Sequence, residues 1–312
     1  MDDRLITLGK PGLRGRKPDW LKVPLAGGEG FADTREAIHA AGLHTVCEEA
    51  RCPNIAECWS GGTATIMVLG EVCTRGCRFC NVKTGNPHGV VDRDEPRRVA
   101  DAIAKLALKY VVLTMVDRDD LDDGGASIVA ETISAIKKHD AGILVEALVG
   151  DWHGDLRAVA ATLEGRPDVY AHNIETVARL QRKVRDARCG YEQSLDTLVE
   201  AKRLDANVTT KSSIMLGLGE TEDEISATMR DLRAAGVEVL TLGQYLRPSP
   251  WHLEVERWVE PQEFTDWAAE GEAMGFAYVA AGPLVRSSYK AAEYFIQNVL
   301  DAKRKQNDGR VS

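Results

Sequence analysis

Thr63-Ala64-Thr65-Ile66-Met67-Val68-Leu69-Gly70-Glu71-Val72-Cys73-Thr74-Arg75-Gly76-Cys77-Arg78-Phe79-Cys80 reads in two parts. Thr63–Gly70 is a continuous apolar run, the composition of a strand buried on both faces, as in a parallel sheet. The rest sets three thiols in one loop directly after that strand. Downstream the rhythm repeats. Tyr110–Val116, Gly142–Val149, Val169–Glu175, Val208–Leu218 and Val237–Leu246 are further runs rich in Val, Ile and Leu. Helix spacing lies between them: Val99, Ile103, Leu106 and Tyr110; Val129, Ile133 and Ile136; Ile225, Met229 and Leu232. Strands alternating with helices make an α/β fold of βαβ units with right-handed crossovers. Six such units suit a barrel, complete or partial. A doubly wound sheet has the same local signature, and periodicity does not separate the two.

In α/β barrels chemistry sits on the loops after the strands. Here those loops carry Cys73, Cys77 and Cys80, then Asp117–Gly125, then Asn173-Ile174-Glu175. The fifth strand holds Lys211-Ser212 and ends at Gly217-Leu218-Gly219-Glu220. The first set has C-x3-C-x2-C spacing. Three thiolates so close can hold three corners of a cubane iron–sulfur cluster and leave one iron open. Zinc would want a fourth ligand, the nearest being His88, and zinc ribbons show two C-x2-C pairs instead. The spacing favours the cluster. An open iron can chelate the amino and carboxylate groups of S-adenosylmethionine. The motif, just after a first barrel strand, resembles the radical S-adenosylmethionine superfamily over roughly 63–246. The resemblance implies a partial (β/α)6 barrel with N- and C-terminal extensions. Phe79 stands where that family carries an aromatic near the adenine; core packing explains it equally well.

Cys47, Cys52 and Cys58 form a second trio, C-x4-C-x5-C, again one ligand short of four. Pro53 breaks any helix through them, so a loop must gather the three thiols. Together with Arg286-Ser287-Ser288-Tyr289, the two trios resemble the lipoyl synthase family. Val116-Asp117-Arg118-Asp119-Asp120-Leu121, His172-Asn173-Ile174-Glu175-Thr176 and Leu216-Gly217-Leu218-Gly219-Glu220-Thr221 match as well. The resemblance spans about 45–290. It implies two [4Fe–4S] clusters, one on Cys73, Cys77 and Cys80 that cleaves S-adenosylmethionine, the other on Cys47, Cys52 and Cys58 that gives up sulfur. Sulfur would enter at C6 and C8 of an octanoyl group on a carrier-protein lysine. Dehydrogenase E2 subunits or the glycine cleavage H protein would be the carriers, and ferredoxin or flavodoxin the electron donor.

The resemblance places the second cluster's fourth ligand in Arg286–Tyr289 and favours Ser288 over Ser287. Neither spacing nor composition separates the two serines, which could instead cap a helix pattern from Tyr289 to Leu300. Gly124 and Gly125 would lie near the methionyl group. Glu175 and Lys211 would sit where such enzymes hold ribose hydroxyls and carboxylates; each also reads as a structural ion-pair partner. The acidic loop Asp117–Asp123 fails as a calcium loop, since a register starting at Asp119 puts Leu121 and Ala130 at ligand positions. It also reads as a solvated acidic loop. Unactivated C–H bonds yield to no side-chain acid or base, so none is assigned. Cys189 stands alone and reads as a buried thiol. His39, His44, His139, His153 and His252 form no ligand spacing.

The chain has 312 residues, 44% hydrophobic and 28% charged, ordinary for a globular protein. This divides into an extension over 1–62, the barrel over 63–246 and a second extension over 247–312. Its net charge of −9 argues against a nucleic-acid partner. No apolar run is long enough for a membrane helix, and Met1–Lys10 do not form a secretory leader, so a cytoplasmic location is expected. Clustered thiols fit that reducing compartment. Residues 1–45, with three prolines, Gly27-Gly28-Glu29-Gly30 and basic Arg4, Lys10, Arg14, Arg16, Lys17 and Lys22, read as an irregular arm. It could hug the surface or cover a site. A methylthiotransferase would typically carry an added RNA-binding domain and a basic surface, which this sequence lacks. A non-catalytic cluster carrier would not need the polar strand ends.

Overall fold

The computed structural model describes residues 17–22, 29–50, 52–60, 65–106 and 108–289. It begins with α1 (Glu29–Ala40), β1 (His44–Thr45), α2 (Val46–Glu49), α3 (Ile55–Ser60) and β2 (Thr65–Val68). A small parallel pair follows, β3 (Val72–Cys73) with β4 (Lys83–Thr84). Next come α4 (Glu95–Leu106), β5 (Tyr110–Met115), α5 (Ala126–His139), β6 (Leu144–Leu148), α6 (Leu156–Glu164) and β7 (Val169–Ala171). The chain continues through α7 (Gln181–Val184), α8 (Tyr191–Leu204), β8 (Thr209–Leu216), α9 (Glu222–Ala234), β9 (Val239–Gln244), α10 (Pro261–Ala273) and β10 (Tyr278–Gly282).

One eight-stranded sheet runs β1-β2-β5-β6-β7-β8-β9-β10. Only β1 against β2 is antiparallel. From β2 onward each strand lies beside the next in chain order. A doubly wound sheet would reverse direction at a switch point; this one advances one way, as a barrel does. Among the described residues β1 and β10 do not pair with each other, so the barrel is open.

Alternation assigns the two faces. Val111, Leu113, Val145 and Ala147 pack with Val99, Ile103, Val129 and Ile133 of α4 and α5. Their neighbours Tyr110, Val112, Leu144 and Val169 cluster on the opposite face, the inside of the curved sheet. Local chemistry sets the helix starts. Thr221 and Glu224 form a reciprocal capping box on α9, and Pro261 opens α10. Gly125 precedes α5 at φ 91°, and a methyl there would overlap Leu69.

Four expectations change. The irregular arm contains α1, whose Thr34 donates to the Trp59 carbonyl at 3.0 Å and whose Ile38 is fully buried. Tyr110 belongs to β5, since α4 ends at Leu106. The region after 246 supplies β10, parallel to β9 from Tyr278↔Val239 to Gly282↔Gly243. Cys47 and Cys58 sit on short helices, α2 and α3, with Pro53 between them, and not in one loop. Arg4, Lys10, Arg14, Arg16 and the helix pattern beyond Tyr289 lie outside the described residues.

Candidate active site

The C-terminal ends of β2 and β5 through β9 surround a cavity of about 500 Å³. Cys73, Cys77 and Cys80 enter it from the loop after β2. Cys47 and Cys52 enter from α2 and the turn beyond it, and Arg286, Ser287 and Ser288 from the segment after β10. Cys58 is buried near that edge, close enough to Tyr289 for its charge to act on the phenol. Hydrogen bonds from asparagine side chains to backbone carbonyls hold the pieces together. Asn81 Nδ2 donates to the Glu49 carbonyl at 2.7 Å, tying the two cysteine regions. Asn54 Nδ2 donates to the Leu284 carbonyl at 2.7 Å, tying the N-terminal cysteines to the C-terminal serines.

All seven cysteines are free thiols. Burial pushes Cys47 and Cys80 up to about 11 and Cys73 up to about 12, and raises Cys52. Cys77 is also raised, by its contact with Cys189 and then by burial. Buried thiolates need a compensating cation, and a coordinated metal supplies one by displacing the proton. Backbone donors are already aimed at the sulfurs: Arg75 N–H to Cys73 Sγ at 3.4 Å and Asp186 N–H to Cys77 Sγ at 3.3 Å. This donor set fits an iron–sulfur cluster on Cys73, Cys77 and Cys80.

A buried ionic frame stands behind the first loop. Arg75 is 3% exposed and donates to Asp119 through Nε and Nη2 at 2.8–3.2 Å, and to Asp151 at 2.5 Å. Arg185 reaches Asp151 and Ser194. The acidic loop is therefore not solvated. Asp119 takes Arg75, Asp120 takes Arg118, and Asp123 caps the start of α5. Asp117 lines the cavity; desolvation pushes its carboxyl up to about 6, against the pull of Arg75. His172 is buried as neutral imidazole, pushed down to about 4 by burial and then by Arg185. Its Nδ1 reaches the Val149 carbonyl at 2.8 Å and its Nε2 the Ser194 hydroxyl at 3.0 Å. The sequence motifs contain Arg75, Asp117, Asp119 and His172 but give no sign that these join Asp151 and Arg185 in one frame, because the motifs are separated by tens of residues.

The remaining expected residues divide. Phe79 and Glu175 line the cavity. Glu175 has φ 67°, an uncommon backbone for a glutamate, and accepts from Asn173 Nδ2 at 3.0 Å. The Asn173 side-chain oxygen is buried with no partner among the described residues. Lys211 does not line the cavity. It is 1% exposed and bonds both Glu146 carboxylate oxygens at 2.8 Å; Tyr110 donates to the same carboxylate. The ion-pair reading holds there, and the ligand-contact expectation does not. Gly124 and Gly125 also lie off the cavity, against Trp152 and Leu69.

An open parallel barrel whose first loop presents three thiols to a cavity at the strand ends defines a class of radical enzyme. The model of the radical SAM superfamily matches residues 67–232, and that of the N-terminal domain of lipoyl synthase matches residues 3–52. Lipoyl synthase of Thermus thermophilus is 58% identical over 281 residues, covering 90% of this chain and 87% of that one. Mitochondrial lipoyl synthase of Danio rerio is 53% identical over 298 residues, 94% of this chain and 75% of that one. The crystal structure of a methylornithine synthase aligns with TM-score 0.52 and 14% identity over 85% of this chain and 82% of that one, a likeness of fold alone. The chain belongs to the lipoyl synthase family. It is thus a radical enzyme that uses a [4Fe–4S] cluster and S-adenosylmethionine on a lipoyl-carrier substrate. No described helix is long and apolar enough to cross a membrane.

Proposed function

We propose that the chain holds two [4Fe–4S] clusters with separate tasks, the first on Cys73, Cys77 and Cys80, the second on Cys47, Cys52, Cys58 and Ser288. The observation that carries this is the convergence of both cysteine regions and the serine segment on one cavity. When bound, the first cluster with S-adenosylmethionine supplies a deoxyadenosyl radical that takes hydrogen from C6 and C8 of an octanoyl chain, and the second supplies sulfide.

The chain's own residues bind, orient and exclude water. Glu175 and Asn173 offer a carboxylate and an unpaired amide oxygen to polar groups of S-adenosylmethionine, and Phe79 offers a ring face to adenine. Met67, Met115, Leu148, Val149 and Met215 give the cavity an apolar wall. Burying an alkyl chain there gains about 0.8 kcal/mol per CH₂. Lys211 and Glu146 neutralise each other inside the barrel beneath that wall, and we assign them structural work. In this reading 1–62 and 247–312 extend the 63–246 barrel with the second cluster's ligands. The carrier is a dehydrogenase E2 domain or glycine cleavage H protein, the donor ferredoxin or flavodoxin, and the location the cytoplasm.

Anaerobic incubation of the cluster-loaded chain with S-adenosylmethionine, reductant and an octanoylated carrier peptide tests the reading. The expected result is 5′-deoxyadenosine together with peptide that gains two sulfurs as thiols, which lose two hydrogens only on later oxidation to the disulfide. Cys77→Ala removes both products. Deoxyadenosine at the parent rate from Cys77→Ala would contradict the assignment of the first cluster.

A further inference from the structure

The rim of the cavity continues beyond β9. Tyr245, Leu246, Arg247 and Pro248 line it, and the chain then turns back over Ser249–His252. Hydrogen bonds fix this turn. His252 N–H donates to the Ser249 carbonyl at 3.0 Å. Arg247 holds three carbonyls at once: Ser249 at 3.1 Å and His252 at 2.9 Å through Nε, and Pro250 through Nη2. The turn is also tied to the first cysteine loop. His252 Nε2 lies 2.9 Å from the Cys80 carbonyl oxygen, and Leu253 N–H donates to the Arg78 carbonyl at 3.1 Å. A carbonyl only accepts, so Nε2 carries the proton and Nδ1 accepts from the Ser249 hydroxyl at 2.8 Å.

Trp251 stands on this mount. Its ring meets the His252 imidazole in a T-shaped contact, centroids 5.0 Å apart. The residue is 62% exposed, although His252 and Leu253 beside it are buried. One exposed apolar side chain is ordinary on a protein surface. This one is set apart by its mount and its place. The turn has already lost its conformational freedom, and one imidazole separates the indole from the backbone of Cys80. An indole held in this way loses little entropy when a partner covers it, which is the character of an interface anchor.

The substrate determines which partner that is. The octanoyl group arrives on a lysine of a carrier protein. Bonds of about 1.5 Å advance about 1.25 Å each along an extended chain, so the lysine Cα and C6 of the acyl group stand at most about 14 Å apart. With C6 inside the cavity, an arm of that length keeps the carrier's own backbone against the rim. We infer that Trp251 is a docking residue for the carrier, packing on the folded surface around the acylated lysine. It thereby favours the whole carrier over acyl-lysine alone. The inference rests on the reading of the substrate as an octanoylated carrier lysine.

The test compares two substrates on the cluster-loaded chain, the whole octanoylated carrier domain and a short octanoyl-lysyl peptide, with dithionite as reductant. Single-turnover rates of sulfur insertion are measured against substrate concentration. Trp251→Ala is expected to raise the half-saturating concentration of the whole carrier about 10-fold or more, the scale of a buried interface tryptophan. The peptide's half-saturation, its maximal rate and the iron content stay at the parent's values. Trp251→Phe, which keeps a ring, gives a smaller rise. An unchanged whole-carrier value overturns the inference. So does an equal rise for the peptide, which would put the indole on the acyl-lysine itself, or a parent that takes peptide as readily as carrier. A dimeric parent that Trp251→Ala makes monomeric in sedimentation would assign the indole to a second copy of the chain and overturn it too. If Trp251→Ala loses iron, Trp251→Phe carries the comparison; loss of iron in both assigns the indole to holding the turn and overturns the inference. A parent that adds sulfur to neither substrate overturns the underlying reading, a result distinct from these.

Discussion

Ser288 would put an oxygen where the other cluster ligands put sulfur. A serine oxygen is a harder donor, less matched to cluster iron, and easier to release when sulfide has to leave. Both Ser287 and Ser288 border the cavity, so geometry leaves the pair as the sequence motif did. Ser288→Ala is expected to keep deoxyadenosine formation and lose lipoyl product about 100-fold, the scale of a misplaced reacting group. Full product from Ser288→Ala beside a dead Ser287→Ala would move the ligand by one residue. His172 carries a different prediction. Its buried imidazole titrates near 4 and its ordinary value is near 6.5, so between them the unfolded chain binds more protons. Stability from this group therefore rises with pH across that window and falls on acidification, by on the order of 3 kcal/mol. Asp117, raised to about 6, has the opposite sign, since the folded state binds its proton. Comparing the parent with His172→Gln isolates the histidine: thermal midpoints measured from about pH 7 to pH 4.5 should fall less in the variant. Parallel curves would contradict it. At this scale the cysteine spacings were legible because ligands of one cluster recur within a few residues. The two readings of Lys211 stayed open in the sequence because Glu146, its ion-pair partner, lies 65 residues upstream on another strand.

Among the elements, β10 and the segment behind it bring the serines to the cavity. Gly243 of β9 lies opposite Gly282 of β10, and a methyl on Gly243 would overlap the Val285 carbonyl oxygen. The need for glycine comes from this close approach of two backbones. Gly243→Ala is expected to push residues 285–288 outward and cost about 1–3 kcal/mol of stability. Lipoyl product should fall about 100-fold, while deoxyadenosine formation stays near the parent's, because the first cysteine loop is held by other bonds. Equal loss of both products would show that the segment does not act on the second cluster alone. The six parallel strands of the barrel were legible from continuous apolar runs. The seventh, β10, was not, because Tyr278–Gly282 is short and carries two alanines and a glycine. Helix α1 was hidden by the glycines at its start; its stability comes from tertiary contacts such as Phe31 against Trp59, ring centroids 5.2 Å apart.

At the scale of the whole molecule, the open barrel brings the thiols of the first loop, Cys47 and Cys52 of the N-terminal set, and the serines from the far end of the chain to one cavity. The N-terminal set sits outside the strands, on α2, α3 and the turn between them. The other follows β2 directly. The sequence showed both sets but could not show that members of both share a cavity, since that depends on the open edge of the sheet and on bonds such as Asn54 to Leu284. The account's central claim is that the first set generates the radical and the second delivers the sulfur. The most direct measurement is a single-turnover assay of Cys52→Ala on the octanoylated carrier peptide, with deoxyadenosine and sulfur incorporation quantified in the same sample. The account predicts deoxyadenosine without sulfur-bearing product. Parent-level lipoyl product from Cys52→Ala would contradict it.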